Sequence, residues 1–100
     1  MKLTPKEEDR LTIFGVAQLA QRRRERGILL NQPECVALIC DVVIEDARAG
    51  LPYAEVLERA GALIRRDEVM EGVPEMLGLV QVEAMFPDGN KLVTVRNPIR

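Results

Sequence analysis

The sequence contains no histidine and no tryptophan, and only three of its 100 residues are aromatic, namely Phe14, Tyr53 and Phe86. Without an imidazole, the chain lacks the side chain that most often serves as a general base near neutral pH and as a metal ligand. With so few rings, its core has to be built from aliphatic side chains. These absences argue against an acid–base active site or a metal centre carried by this chain alone.

An excess of charge of either sign is also absent. The net charge is −2, and residues 1–50 carry eight basic and eight acidic side chains against six and eight in residues 51–100. Such a balance creates no long-range positive field of the kind that draws in nucleic acids. No segment approaches the roughly 20 apolar residues of a membrane span, and Met1–Arg10 has no apolar signal-peptide core. We therefore expect a cytoplasmic protein that binds neither membrane nor nucleic acid.

Cysteine is scarce, and its two copies, Cys35 and Cys40, lie five residues apart in a predicted helix. That spacing corresponds to about 140° of rotation and about 7.5 Å of rise. The two sulfurs then point to different faces, which rules out a disulfide between them. We expect two small buried thiols in a reducing compartment rather than a redox pair.

The first half of the chain predicts two long helices. Thr4-Pro5-Lys6-Glu7 combines a capping residue, a proline at the first helical position and a glutamate that closes a capping box. The helix extends over about 5–26 and ends in an arginine-rich turn followed by Gly27. A second helix, over about 33–48, starts at Asn31-Gln32-Pro33-Glu34. Its segment 35–44 contains one charge, Asp41, and is therefore predicted to be buried on every side.

The second half predicts shorter helices and a hairpin. The predicted elements are a third helix over about 53–65, a short helix over 67–71, and strands over about 79–86 and 91–96. Asp88-Gly89 at the centre of the turn is a strong hairpin signal. The predicted fold is one α+β domain over residues 1–100, in which three main helices and a short one are followed by an antiparallel β-hairpin.

The hairpin raises a problem of burial. Alternation places Val80, Val82, Ala84 and Phe86 on one face of the first strand. A two-stranded sheet is marginal in water, the predicted helices can cover only one of its faces, and its edges invite another chain. We therefore expect a partner subunit to complete the fold, with the apolar helix 35–44 and the hairpin 80–96 providing much of the contact.

Several side-chain groups suggest chemistry but have simpler interpretations. Arg22–Arg26 is expected to be a cationic helix end, bound to a partner by salt bridges, rather than a nucleic-acid patch. Glu71, Glu75 and Glu83 have no basic or nucleophilic neighbour in the pattern, so solvated or interface carboxylates are favoured over acid–base catalysts. We predict no catalytic, cofactor-binding or metal-binding residue on this chain. The residues expected to fill gaps or anchor packing are Met70, Met76, Met85 and Tyr53.

Two long stretches carry a resemblance to a known family. Val69–Met76 and Val80–Asn97, which includes Phe86-Pro87-Asp88-Gly89, resemble the gamma (small) subunit of bacterial urease. The opening Leu3–Glu7 and the Asn31–Glu34 pattern extend the resemblance over essentially the whole chain. The departures from the family pattern are Cys35, where Ala is common, Glu45–Gly50, where Glu-Gly-Ala-Arg-Asp-Gly is common, and Arg96, where His is common.

The resemblance implies a non-catalytic, structural gamma subunit of urease, the nickel enzyme of urea catabolism that hydrolyses urea to ammonia and carbamate. It also implies alpha and beta subunits as partners, together with other gamma copies in a trimer of heterotrimers. Two nickel ions are expected on the alpha subunit and no cofactor on this chain. The alternatives are a small helical binding module for a nucleic acid or a regulatory partner, and a small autonomous hydrolase.

Overall fold

The computed structural model describes all 100 residues, Met1–Arg100. Its elements are α1 (Pro5–Glu25), α2 (Gln32–Arg48), α3 (Tyr53–Gly61), a 3₁₀ turn (Arg66–Glu68), α4 (Val73–Met76), β1 (Leu79–Phe86) and β2 (Gly89–Arg96). The predicted α+β class, with helices followed by a C-terminal antiparallel hairpin, is confirmed. No helix combines the length and the hydropathy that a membrane crossing requires.

Both long helices begin where the capping signals place them. The Thr4 hydroxyl accepts from the Glu7 amide at 3.2 Å, and the Glu7 carboxylate accepts from the Thr4 amide at 2.9 Å. Asn31 and Glu34 form the same reciprocal pair at 3.0 and 2.9 Å. Each pair satisfies amides that have no partner within the helix. The predicted starts of α1 and α2 are therefore right to within one residue.

Helix α2 is the central element of the fold. It packs against α1, against β1 and against α3, and Cys35, Ile39 and Val43 are fully buried along it. The core comprises 23 buried residues, of which Phe86 is the only aromatic one. The aliphatic character of the core is confirmed. Segment 35–44 is buried over most of its length, because α2 meets neighbours from its own chain on three sides, but Val36, Asp41, Val42 and Ile44 are only half-buried.

The hairpin lies on α2 through one face. Its register pairs Val80 with Val95 and Val82 with Val93, and burial alternates strictly along β1. The inward set predicted for β1, which is Val80, Val82, Ala84 and Phe86, is confirmed. The sheet contains only these two strands, so its opposite face and its edges receive no strand from this chain.

The hairpin turn differs from the expectation of Asp-Gly at its centre. The residues between the strands are Pro87 and Asp88, and β2 already begins at Gly89, two residues before the predicted start at 91. Proline holds its φ near −65°, and only Gly89 in this turn has a positive φ, of 125°. A turn that needs positive φ at both Asp88 and Gly89 is therefore not formed. Instead, the Pro–Asp pair makes the bend, and the glycine takes the positive-φ position that other residues rarely adopt.

The segment between α3 and the hairpin is where the predicted helices were wrong. α3 ends at Gly61 rather than near 65, and Ile64 makes a parallel bridge with Ile99. The predicted short helix over 67–71 is reduced to the 3₁₀ turn Arg66–Glu68. Beyond that turn, the Leu30 amide donates to the Glu68 carbonyl and the Met70 amide to the Leu30 carbonyl, at 3.0 and 2.9 Å. These bonds to a distant segment replace the helical ones. A helix forms later, as α4.

Candidate docking surface

The acidic side chains singled out in the sequence do not converge. Glu75 pairs with Arg66, Glu83 lies 4.0 Å from Lys6, and Glu71 is exposed and without an ion pair. No group of three or more His, Cys, Asp or Glu side chains is arranged to hold a metal ion. The geometry of these carboxylates supports ion pairs at the surface and not a shared site for acid–base chemistry.

Two of the four arginines at the end of α1 form ion pairs inside the chain. Arg23 donates to the buried carboxylate of Glu34 at 2.6 Å. Arg24 donates to both carboxylate oxygens of Glu68 at 2.7 and 3.0 Å, and to the Leu63 carbonyl at 2.5 Å. The expected cationic helix end is present, but two of its cations stabilise contacts with α2 and with the 63–68 segment. They are therefore not free to bind a partner or a phosphate backbone.

The Arg24–Glu68 pair has the features of a structural clamp. Its side chains are only 19% and 14% exposed, and the two bonds form the parallel arrangement that guanidinium and carboxylate favour. The hydrogen bond from Arg24 holds the pKa of Glu68 below its ordinary value, against the opposing effect of burial. This pair fixes α1 to the 3₁₀ turn to which the predicted short helix is reduced.

The two thiols are buried and free of disulfide bonding. Burial raises the pKa of Cys35 to about 11, and burial also raises the pKa of Cys40. A protonated thiol is a poor nucleophile and a poor metal ligand. The predicted interpretation of Cys35 and Cys40 as small buried hydrophobes is therefore consistent with their surroundings.

Large apolar side chains lie exposed on two outer surfaces. Leu11, Phe14 and Leu19 project from α1, with Phe14 at 48% exposure. The outer hairpin face carries a second set, in which Met85 and Leu92 reach 58% and 59%. The methionines expected to fill gaps in a core or interface are all on the surface. Exposed apolar side chains of this size are candidates for contact with another macromolecule.

A groove of about 430 Å³ separates the N-terminal half of α1 from β1. Its floor is apolar, and the residues that form this floor are Ile13, Ile44, Val82 and Ala84. Its remaining lining consists of Thr4, Lys6, Glu7, Asp9, Arg10, Glu83, Met85 and Asn90. The groove therefore combines an apolar base with a rim of mixed charge, and β1 forms one of its long sides.

Arg10 stands in the α1 wall of this groove. Its Nη2 donates to Asp41 and to Glu45, both at 2.8 Å, which ties α1 to α2. Its Nη1 is buried without a hydrogen-bond partner. The two carboxylates hold the guanidinium and so keep α1 in place beside the groove. The Arg10 Nη1 is the one buried side-chain polar atom of the fold that has no hydrogen-bond partner.

A second groove, of about 450 Å³, lies between α1 and α2. Val16, Pro33, Val36 and Cys40 are among its lining residues. It gives access from outside to part of the apolar segment 35–44, and the first groove gives access to Ile44. Helices α1 and α3 and strand β1 pack against α2 elsewhere. Most of the apolar surface of this segment is therefore buried within the chain itself, and its expected contact with a partner stays a prediction for the half-buried residues only. The outer face of the hairpin and the outer face of α1 remain available for contact with a partner. Periodicity in α1 alone would not have distinguished its inner apolar residues from its outer ones.

Comparison with known proteins gives matches along the entire chain. A family profile described as "Urease, gamma subunit" matches residues 1–99. The chain is 59% identical over 100 residues to a urease subunit gamma of Natronomonas pharaonis, an alignment that covers 100% of this chain and 92% of that protein. It is 56% identical over 100 residues to a urease subunit gamma of Corynebacterium kroppenstedtii, covering 100% and 99%. The similarity therefore includes the hairpin, α1 and both grooves.

Proposed function

The chain belongs to the urease gamma-subunit family, and from this premise we propose that it acts as a structural, non-catalytic subunit of urease. Urease hydrolyses urea to ammonia and carbamate, so the chain is part of a hydrolase of urea catabolism. The observation that carries the proposal is the family match over residues 1–99, with identities of 56–59% to two urease gamma subunits.

We place the chemistry on another subunit, the alpha chain, together with the two nickel ions. The residues of this chain do not fit a nickel site, because it has no histidine and its acidic and sulfur side chains form no group that could hold a metal. Its two thiols are buried, which raises the pKa of each, and several of its carboxylates are engaged by arginines. These features support a role in assembly rather than in catalysis.

We further propose that the chain packs with alpha and beta subunits in a trimer of heterotrimers in the cytoplasm. The exposed apolar side chains of α1 and of the outer hairpin face support such an assembly, since these surfaces lose water on contact with a partner. The alternative of a nucleic-acid-binding module has less support, because Arg23 and Arg24 are held by Glu34 and Glu68.

Co-expression with the alpha and beta chains of the same urease, followed by size exclusion and a urease assay, tests the proposal. We expect the chain to co-elute with the large subunit and the complex to hydrolyse urea when supplied with nickel. The chain alone should release no ammonia, with or without nickel. Ammonia release by the isolated chain, or its failure to co-elute with the large subunit, would contradict the proposal.

A further inference from the structure

We propose that the groove beside β1 receives an extended segment of another urease subunit, which adds a third strand to the hairpin along the free edge of β1. This inference rests on the proposed function, because the incoming segment is taken to belong to a partner in that assembly. Strand addition of this kind satisfies backbone groups at an open edge and places alternate side chains in a neighbouring groove.

The register identifies which backbone groups of β1 face the groove. The Asn97 amide donates to the Gly78 carbonyl at 2.8 Å, in line with the pairing that continues from Leu79 opposite Arg96. Because hydrogen-bonded and non-hydrogen-bonded pairs alternate in an antiparallel ladder, Leu79, Gln81, Glu83 and Met85 direct their amides and carbonyls away from β2. These groups form the open edge, and no strand of this chain covers it.

The groove suits an extended chain beside that edge. A strand added at the usual spacing of about 4.8 Å would lie between β1 and α1. Every second side chain would then descend toward the apolar floor at Ile13 and Ile44. The ion pair between Lys6 and Glu83 is the one salt bridge between α1 and β1. The paired atoms are 4.0 Å apart, and the two side chains are 82% and 57% exposed. A pair this exposed to solvent contributes little stability, so an incoming strand could displace it at little cost.

The wall formed by α1 argues against a second copy of this chain as the occupant. If two copies paired through their β1 edges about a twofold axis, the α1 of each copy would fall on the hairpin and α2 of the other. The groove is bounded on its far side by α1 residues that include Arg10, and Arg10 is held to α2 by Asp41 and Glu45. It therefore has room for a single strand that brings no helix of its own along that edge.

Proline substitution at the free edge tests the proposal in the assembled complex. Glu83→Pro removes one outward amide from β1, and the strand conformation tolerates proline at such a position. Leu92→Pro is the matched control, because Leu92 lies opposite Glu83 in the register and presents its amide to the other edge. Glu83→Ala and Leu92→Ala separate the effect of proline from the loss of the side chain.

Each variant is co-expressed with the wild-type chain and with the alpha and beta chains, and the ratio incorporated into the purified complex is read by mass spectrometry. We expect incorporation of Glu83→Pro to fall about tenfold relative to Glu83→Ala, the order that one or two lost backbone hydrogen bonds produce. Leu92→Pro should match Leu92→Ala. Equal incorporation of Glu83→Pro and Glu83→Ala, or an equal proline-specific loss at both positions, would overturn the inference.

Hydrogen exchange of the wild-type complex provides a measurement that needs no variant. The amides of Gln81, Glu83 and Met85 should exchange more slowly than those of Asn90, Leu92 and Thr94, because only the former acquire a hydrogen-bonded partner. Equal exchange at the two edges would overturn the inference and leave the proposed function intact. Failure of the wild-type chain to enter the complex would instead remove the proposed function.

Discussion

Replacing Glu68 with Gln tests how much of the fold depends on the clamp between α1 and the 3₁₀ turn. The glutamine keeps the shape of the side chain, but it removes the charge that accepts two hydrogen bonds from Arg24. The Arg24 guanidinium would then remain at 19% exposure beside a neutral amide. Its one other hydrogen-bond acceptor would be the Leu63 carbonyl.

The expected cost lies between two measured limits. Exposed ion pairs contribute about 0–1 kcal/mol, whereas breaking a fully buried pair costs about 3–5 kcal/mol. Because the Glu68 side chain is 14% exposed, we expect a loss of about 2 kcal/mol in the free energy of unfolding. For a domain of this size, that corresponds to a decrease in Tm of about 8–16 °C.

Thermal unfolding followed by far-UV circular dichroism measures this difference, and the neighbouring residue supplies the control. Asp67→Asn also removes one negative charge, but its pair with Arg65, at 3.0 Å, joins side chains that are 74% and 69% exposed. We expect that variant to change stability by less than about 0.5 kcal/mol. Equal Tm values for the Glu68 and Asp67 variants would refute the reasoning that burial gives the clamp its strength.

Two further predictions concern pH and thiol reactivity. The folded pKa of Glu68 lies below its unfolded value, so its stabilising contribution is present above the unfolded pKa of about 4.3 and is lost as pH falls through the folded pKa. The wild-type chain should therefore lose more Tm than Glu68→Gln as pH is lowered from 6 toward 3, and parallel curves would contradict this. Cys35 should resist a thiol-specific disulfide reagent at pH 8 in the folded chain and react fully in denaturant, because it is fully buried and its pKa is raised to about 11. Rapid modification of Cys35 in the folded chain would contradict this prediction.

Elements with local signals were predictable from the sequence. The caps at Thr4 and Asn31 depend on residues three positions apart, and both pairs form in the structure. The alternation of β1 and the continuous apolar segment of α2 likewise follow from local periodicity. These features need no information about distant segments, which explains why their positions and buried faces were correct.

The region between Gly61 and Val73 was not predictable in the same way. Its conformation depends on Leu30, which exchanges backbone hydrogen bonds with Glu68 and Met70, and on the bridge between Ile64 and Ile99. The local sequence pattern does not indicate that Leu30 and Ile99 are the partners of this region. The groove beside β1 was missed for a related reason, because it exists only once α1 and the hairpin lie on the same side of α2.

The central position of α2 also bears on how the chain folds. α1 and α2 are consecutive in sequence and pack together, and the two strands are joined by only two residues, Pro87 and Asp88. Each pair can form from nearby parts of the chain with little loop-closure entropy. The principal contact of long sequence separation is the seating of the hairpin on α2. Contact order therefore predicts that the α1–α2 pair and the β-hairpin form rapidly and that the hairpin then docks on α2 more slowly. Substitutions at the α2–β1 contact should slow folding more than equally destabilising substitutions within the α1–α2 pair or within the β-hairpin.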